Sequence, residues 1–126
     1  MDGQSLRNST SVKAISIFLG IVFLLTGAAK LLGLEMMVEA FRGWGYSVAF
    51  IYLIGFLEFA GAVMVLTPRL RLYGASLLFA LMIGAAFTHI NAGEWMMLPG
   101  PLVMMVLTGV VAWVEREYRK PRRLEA

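Results

Sequence analysis

Residues 48–66 read VAFIYLIGFLEFAGAVMVL, an unbroken apolar run whose one charge is Glu58. As a helix rising 1.5 Å per residue this stretch extends roughly 28 Å, close to the hydrocarbon thickness of a bilayer. Its reading as a membrane span decides the fold, and three further runs repeat it. They cover about residues 14–34, 72–90 and 99–114. Thr67, Pro68, Arg69, Leu70 and Arg71 form a basic turn after the second span, because proline cannot continue the helix and the arginines prefer water. Asn91, Ala92 and Gly93 end the third span, and Pro99 or Pro101 suits the first turn of the fourth. The expected fold is an all-α membrane protein: one domain over residues 1–126, an antiparallel four-helix transmembrane bundle. A basic tail follows over residues 115–126.

Composition agrees. Hydrophobic residues make up 60% of the 126-residue chain and charged residues 15%, against about 25% charged in soluble domains. The absence of cysteine excludes a disulfide framework, a dithiol redox centre and a thiolate metal site. A single histidine argues against a zinc or haem site within one subunit, so no metal is expected. A net charge of +3 with a pI near 9.6 does not point to nucleic acid, because the basic residues flank the apolar runs.

Those flanking charges set an expected orientation. Arg7, Lys13, Arg69, Arg71, Arg116, Arg119, Lys120, Arg122 and Arg123 share one side of a four-span chain, and only Lys30 and Arg42 fall on the other. By the positive-inside rule both termini are cytoplasmic, in a multi-pass protein of the plasma membrane. Trp44, Tyr46 and Trp95 then mark the outer interface, with Tyr73, Trp113 and Tyr118 at the inner one. Gly27-Ala28-Ala29 after an apolar stretch resembles a signal-peptide cleavage site. The stretch is too long for one and runs past Lys30 to Leu34, so it is expected to remain a span.

Between the first two spans, Leu34, Met37, Val38 and Phe41 recur at helical spacing, with Glu35, Glu39 and Arg42 on the other face. This pattern predicts a short interfacial helix placed to cap the outer end of the bundle. Gly43-Trp44-Gly45-Tyr46 turns the chain into the second span, with the indole anchored at headgroup level.

Three ionisable residues stand inside the spans: Lys30, Glu58 and His89. A charge in hydrocarbon costs at least a few kcal/mol and persists only when paired, hydrated or used. Each has small residues one helical turn away: Gly27 for Lys30, Gly55, Gly61 and Ala62 for Glu58, and Ala86 for His89. That spacing turns all three toward the bundle interior. Glu58 lies roughly 15 Å deep, so the trio outlines an outer-half cavity with a carboxyl group at its floor. A Lys30–Glu58 ion pair and a neutral, hydrogen-bond-donating Glu58 are both open at this stage. His89 is placed to sense or shuttle protons near neutral pH. A purely structural reading also stands: a pair fixing helix register, a lysine snorkelling to the surface and a histidine at the interface. The nine methionines read as soft packing rather than as metal ligands.

Phe23-Leu24-x-x-Gly27-x-x-Lys30-Leu31, Gly55-x-x-Glu58-x-x-Gly61-Ala62-x-x-x-Leu66 with the Pro68 turn, and Ala86-x-x-His89 together resemble the DoxX-like family of small four-helix membrane proteins. The likeness covers about residues 14–114 and implies a compact antiparallel bundle. Some relatives are subunits of thiosulfate:quinone oxidoreductases, some join other membrane oxidoreductase complexes, and animal relatives act as receptor-assembly chaperones. The resemblance implies a redox-complex subunit binding a quinone or similar apolar ligand around Lys30, Glu58 and His89. Its partners would be the lipid bilayer, a membrane or peripheral redox protein, and a further copy of the chain. The alternatives are an assembly factor in which the trio is structural, and a small transporter or proton pathway. Whether the chain is itself an enzyme stays open, since it has no redox centre of its own.

Overall fold

The computed structural model describes residue 7 and residues 9–120, and every regular element among them is helical. Arg122 and Arg123 of the expected tail lie outside the described residues. Helix α1 is Thr10–Leu31, α2 Glu35–Gly43, α3 Val48–Leu66, α4 Arg71–Asn91 and α5 Pro99–Arg119, with short 3-10 turns at Pro68–Leu70 and Trp95–Met97. The four long helices are each long and apolar enough to cross a membrane. Their outward side chains, Leu25, Phe56 and Val106 among them, are exposed, as a lipid-facing surface requires.

The element boundaries follow local chemistry. Helix α1 begins four residues before the expected start, because the Ser9 hydroxyl accepts the Val12 N–H and caps it. Helix α3 has the expected bounds, and its first turn is capped by Ser47 in the same way. Helix α5 runs beyond the apolar stretch to Arg119, so residues 115–119 of the expected tail are helical.

Helix α1 packs most extensively on α3, and α4 on α3 and α5; the α1–α5 seam is the sparsest. The α1–α3 contact is backbone to backbone. A Cβ at Gly27 would stand 2.7 Å from Phe59 N and 2.9 Å from Gly55 O, and one at Gly55 would stand 2.7 Å from Lys30 Cβ. Such close approach through small residues is how helices associate where lipid offers no hydrophobic drive. Helices α3 and α4 are clamped near their connecting turn, where a Cβ on Gly74 would meet Val65 N at 2.6 Å.

The two ends of the bundle differ. Leu19, Phe23, Ala62, Val65, Ala75, Leu78, Met82 and Val111 form one packed core toward the end that holds Thr10, Arg119 and the Pro68 turn, here the terminal end. Toward the opposite end, the loop end, α5 buries no side chain before Thr108. Helix α2, found where the amphipathic pattern predicts it, covers that end with Phe41 buried beneath it.

Candidate functional site

The hollow left at the loop end is a cavity of about 500 Å³ among all five helices. That volume lies within the range of small-molecule sites. Its wall is largely apolar and aromatic: Phe23 from α1, Phe41 from α2, Trp44 and Tyr46 from the link, Phe50 from α3 and Phe87 from α4. Thr26, Lys30, Glu58, Thr88 and His89 supply the polar patches.

The closest of these patches joins α1 to α3. Lys30 Nζ stands 3.1 Å from Glu58 Oε2, and Thr26 Oγ1 donates to the same oxygen at 2.8 Å. Lys30 is 9% exposed and Glu58 4%. The glycines explain the pairing, because the Gly27–Gly55 contact lets the helices approach closely enough for a lysine one turn on to reach a carboxylate one turn on. The contact that an ion pair requires is the one the side chains make. Among the described residues Glu58 Oε1 makes no hydrogen bond, and it is not sealed off either. Among the described residues, the sealed side-chain oxygens lacking a bond are both on Glu115. One acceptor on Glu58 and two N–H donors on Lys30 therefore remain available at the cavity wall.

His89 is buried and lines the same cavity, yet its partner is neither Lys30 nor Glu58. Its Nδ1 lies 3.1 Å from Glu94 Oε1, which also accepts the Trp44 indole N–H at 2.7 Å. The end of α4 brings His89 and Glu94 together: Gly93 takes φ +71°, the Glu94 N–H returns to His89 O at 2.9 Å and the Gly93 N–H to Ile90 O. This is a Schellman closure, which needs glycine at its left-handed position. Gly45 does the same after α2, sending the Tyr46 N–H to Phe41 O. It aims Trp44 and Tyr46 at α4, where the Tyr46 hydroxyl meets Thr88 Oγ1 at 2.7 Å. Trp44 is half-buried and forms a latch across the cavity. The Glu94 carboxyl is held below its ordinary value of 4.5, first by the Trp44 hydrogen bond and then by the one from His89.

Of the small residues singled out in the sequence, Gly27 and Gly55 form the α1–α3 contact, while Gly61 packs against Leu78 of α4. Ala62 lies in the packed core and Ala86 is buried one turn before His89. Sequence reasoning missed Thr26 as a partner of Glu58, though its place four residues before Lys30 on the same stripe was the signal. It also missed Glu94, which a glycine-ended helix carrying His89 five residues earlier would have revealed.

A second polar cluster at the terminal end was missed altogether. Glu115 is fully buried, with Arg7 at 3.1 Å, Arg71 at 3.6 Å and Arg119 at 3.7 Å. Arg7 and Arg119 also donate to Pro68 O, Arg119 to Arg69 O, and Arg71 to Val65 O. The cluster ties α1's approach, the Pro68 turn and α5 together. Among the described residues no three His, Asp or Glu side chains gather as a metal site.

The family model described as "DoxX-like family" matches residues 14–111, most of the chain and all of the cavity wall. The chain belongs to the DoxX-like family. No curated protein and no solved structure matches it.

Proposed function

We propose that this DoxX-like membrane protein is a subunit of a membrane oxidoreductase complex that holds a quinone or similar apolar ligand in the loop-end cavity. The observation carrying this reading is an aromatic, largely apolar cavity of about 500 Å³ with a buried Lys30–Glu58 pair in its wall. The residues fit a ring of that kind. Aromatic side chains can stack on it, and the free N–H groups of Lys30 can donate to a ring oxygen. A bound quinone would supply electron- and proton-carrying chemistry that no side chain here has. The chain's own part is to bind and orient the ring, to exclude water, and to offer an acceptor at Glu58 Oε1. His89, joined to Glu94 near the surface, would link the cavity with the headgroup layer. The distribution of basic residues supports a plasma-membrane protein with both termini cytoplasmic, which puts the cavity in the outer half of the bilayer.

Mass spectrometry of the gently purified protein tests this. The expected result is a stoichiometric small apolar molecule that Glu58→Gln depletes. Recovery of bulk phospholipid alone, identical in wild type and variant, would sink the reading.

One observation favours a second reading, an assembly factor that binds another membrane protein. Helix α5 is the least covered of the long helices, and a shallow apolar groove lined by Phe79, Met105, Gly109 and Trp113 runs along its outer face. Crosslinking from Gly109→Cys would then capture one stoichiometric partner or a second copy of the chain.

A further inference from the structure

Glu58 presents its acceptor and Lys30 its donors side by side at one cavity wall. Oε2 of Glu58 is already engaged by Lys30 and Thr26, while Oε1 has no hydrogen bond among the described residues and is not sealed, on a side chain that lines the cavity. Lys30 Nζ has spent one of its three N–H groups on Oε2. A ligand carbonyl accepts only: it satisfies Lys30 but sets its lone pairs against those of Oε1. A hydroxyl satisfies both at once, its oxygen accepting from Lys30 while its hydrogen goes to Oε1. Leaving a buried acceptor unmatched is what discriminates most strongly between otherwise similar ligands.

The body of the ligand is constrained separately. Six aromatic rings on the cavity wall suit a planar aromatic group. Phe50, Ala80, Gly84 and Phe87 line the cavity and are also exposed on the outer surface. They lie on facing sides of α3 and α4, and a Cβ on Gly84 would meet nothing within 4 Å. The cavity is therefore open sideways between these helices, where an alkyl chain can pass into the acyl region of the bilayer.

We propose that the cavity selects a lipid-dissolved phenol or hydroquinone, its hydroxyl bridging Lys30 Nζ and Glu58 Oε1 and its chain leaving between α3 and α4. The inference rests on the cavity being a ligand site, as in the function proposed above, and specifies which head group that site prefers.

Two matched pairs of probes test it: 4-decylphenol against 4-decylanisole, and 2-decylhydroquinone against 2-decylbenzoquinone. Calorimetric titration of the detergent-purified full chain, corrected with empty micelles and run without oxygen, gives the dissociation constants. In each pair the hydroxyl compound should bind about tenfold more tightly or better, as expected for one unmatched buried acceptor. Glu58→Gln, which places an amide where the carboxylate was, should remove most of that preference. The wild-type comparison decides the matter even if Glu58→Gln fails to fold. Equal affinities within each pair, or tighter binding of the ether and the quinone, would overturn the head-group inference and leave the ligand site standing. No binding of any of the four would overturn the site as well.

Discussion

Glu58 and Glu115 are both buried carboxylates in a bundle made almost wholly of apolar helices, and their surroundings are opposite. Glu115 sits at the packed terminal end, fully buried, with three arginines within 4 Å. Glu58 sits near mid-helix at the hollow end, with one lysine, one threonine hydroxyl and an oxygen to spare. The difference shows what separates a structural charge from one available for chemistry. A carboxylate sealed among three guanidinium groups is held by their charge and fixes the elements that carry them. A carboxylate satisfied on one oxygen only keeps a directed acceptor for whatever fills the space in front of it.

The comparison can be broken first at Glu115. Glu115→Gln leaves three arginines facing one another around an amide, and removing one partner from a buried charge cluster costs about 3–5 kcal/mol. Its thermal transition in detergent should fall well below that of Glu58→Gln, where Lys30 can extend toward the loop end and rehydrate. Equal losses in the two variants would show that the clasp is no more structural than the cavity pair. A smaller effect is expected at the contact that builds the pair. Gly27→Ala drives a methyl into the backbone of α3 at Phe59 and Gly55. Overpacking of this kind costs about 1–3 kcal/mol, and separating the helices should also weaken any ligand bound at Glu58. Gly84→Ala, with open space around it, is the matched control and should leave stability unchanged or slightly raised.

The smallest effect belongs to the latch of Trp44, Glu94 and His89. The folded-state pKa of Glu94 is depressed, so its contribution to stability is present above the ordinary value of 4.5 and is lost as pH falls through the lowered value. In a Trp95→Phe, Trp113→Phe background, Trp44 emission should stay constant down to that point and change below it. Glu94→Gln should lack this acid transition. A transition of the same size in Glu94→Gln would mean that Trp44 reports some other group.

Much of this was legible in the chain. The four spans, the interfacial helix over residues 35–43 and the small-residue stripes are local patterns of hydropathy and spacing, and each stands where the pattern puts it. The Lys30–Glu58 contact was legible as well, since two charges in apolar runs with glycine one turn away have few alternatives to each other. His89 is buried and lines the cavity with Lys30 and Glu58, but its hydrogen-bond partner was not legible. Its nearest charge is Glu94, brought back by a left-handed glycine that hydropathy does not register. Glu115 went unseen because Glu115-Arg116-Glu117 at the end of a span looks like the solvated end of any transmembrane helix.

By itself, then, the sequence determined that the chain crosses a membrane four times and that three polar side chains face inward. Both follow from the free energy of placing residues in hydrocarbon, which each helix settles on its own. Only the tertiary structure decided which end of the bundle is packed and which is hollow. It alone set Arg7, Arg71 and Arg119 around Glu115, and it alone left one oxygen of Glu58 open to a cavity. Those outcomes depend on how closely helix pairs approach. Close approach is fixed where glycine meets backbone and relaxed where α5 draws away, and no single helix carries that information.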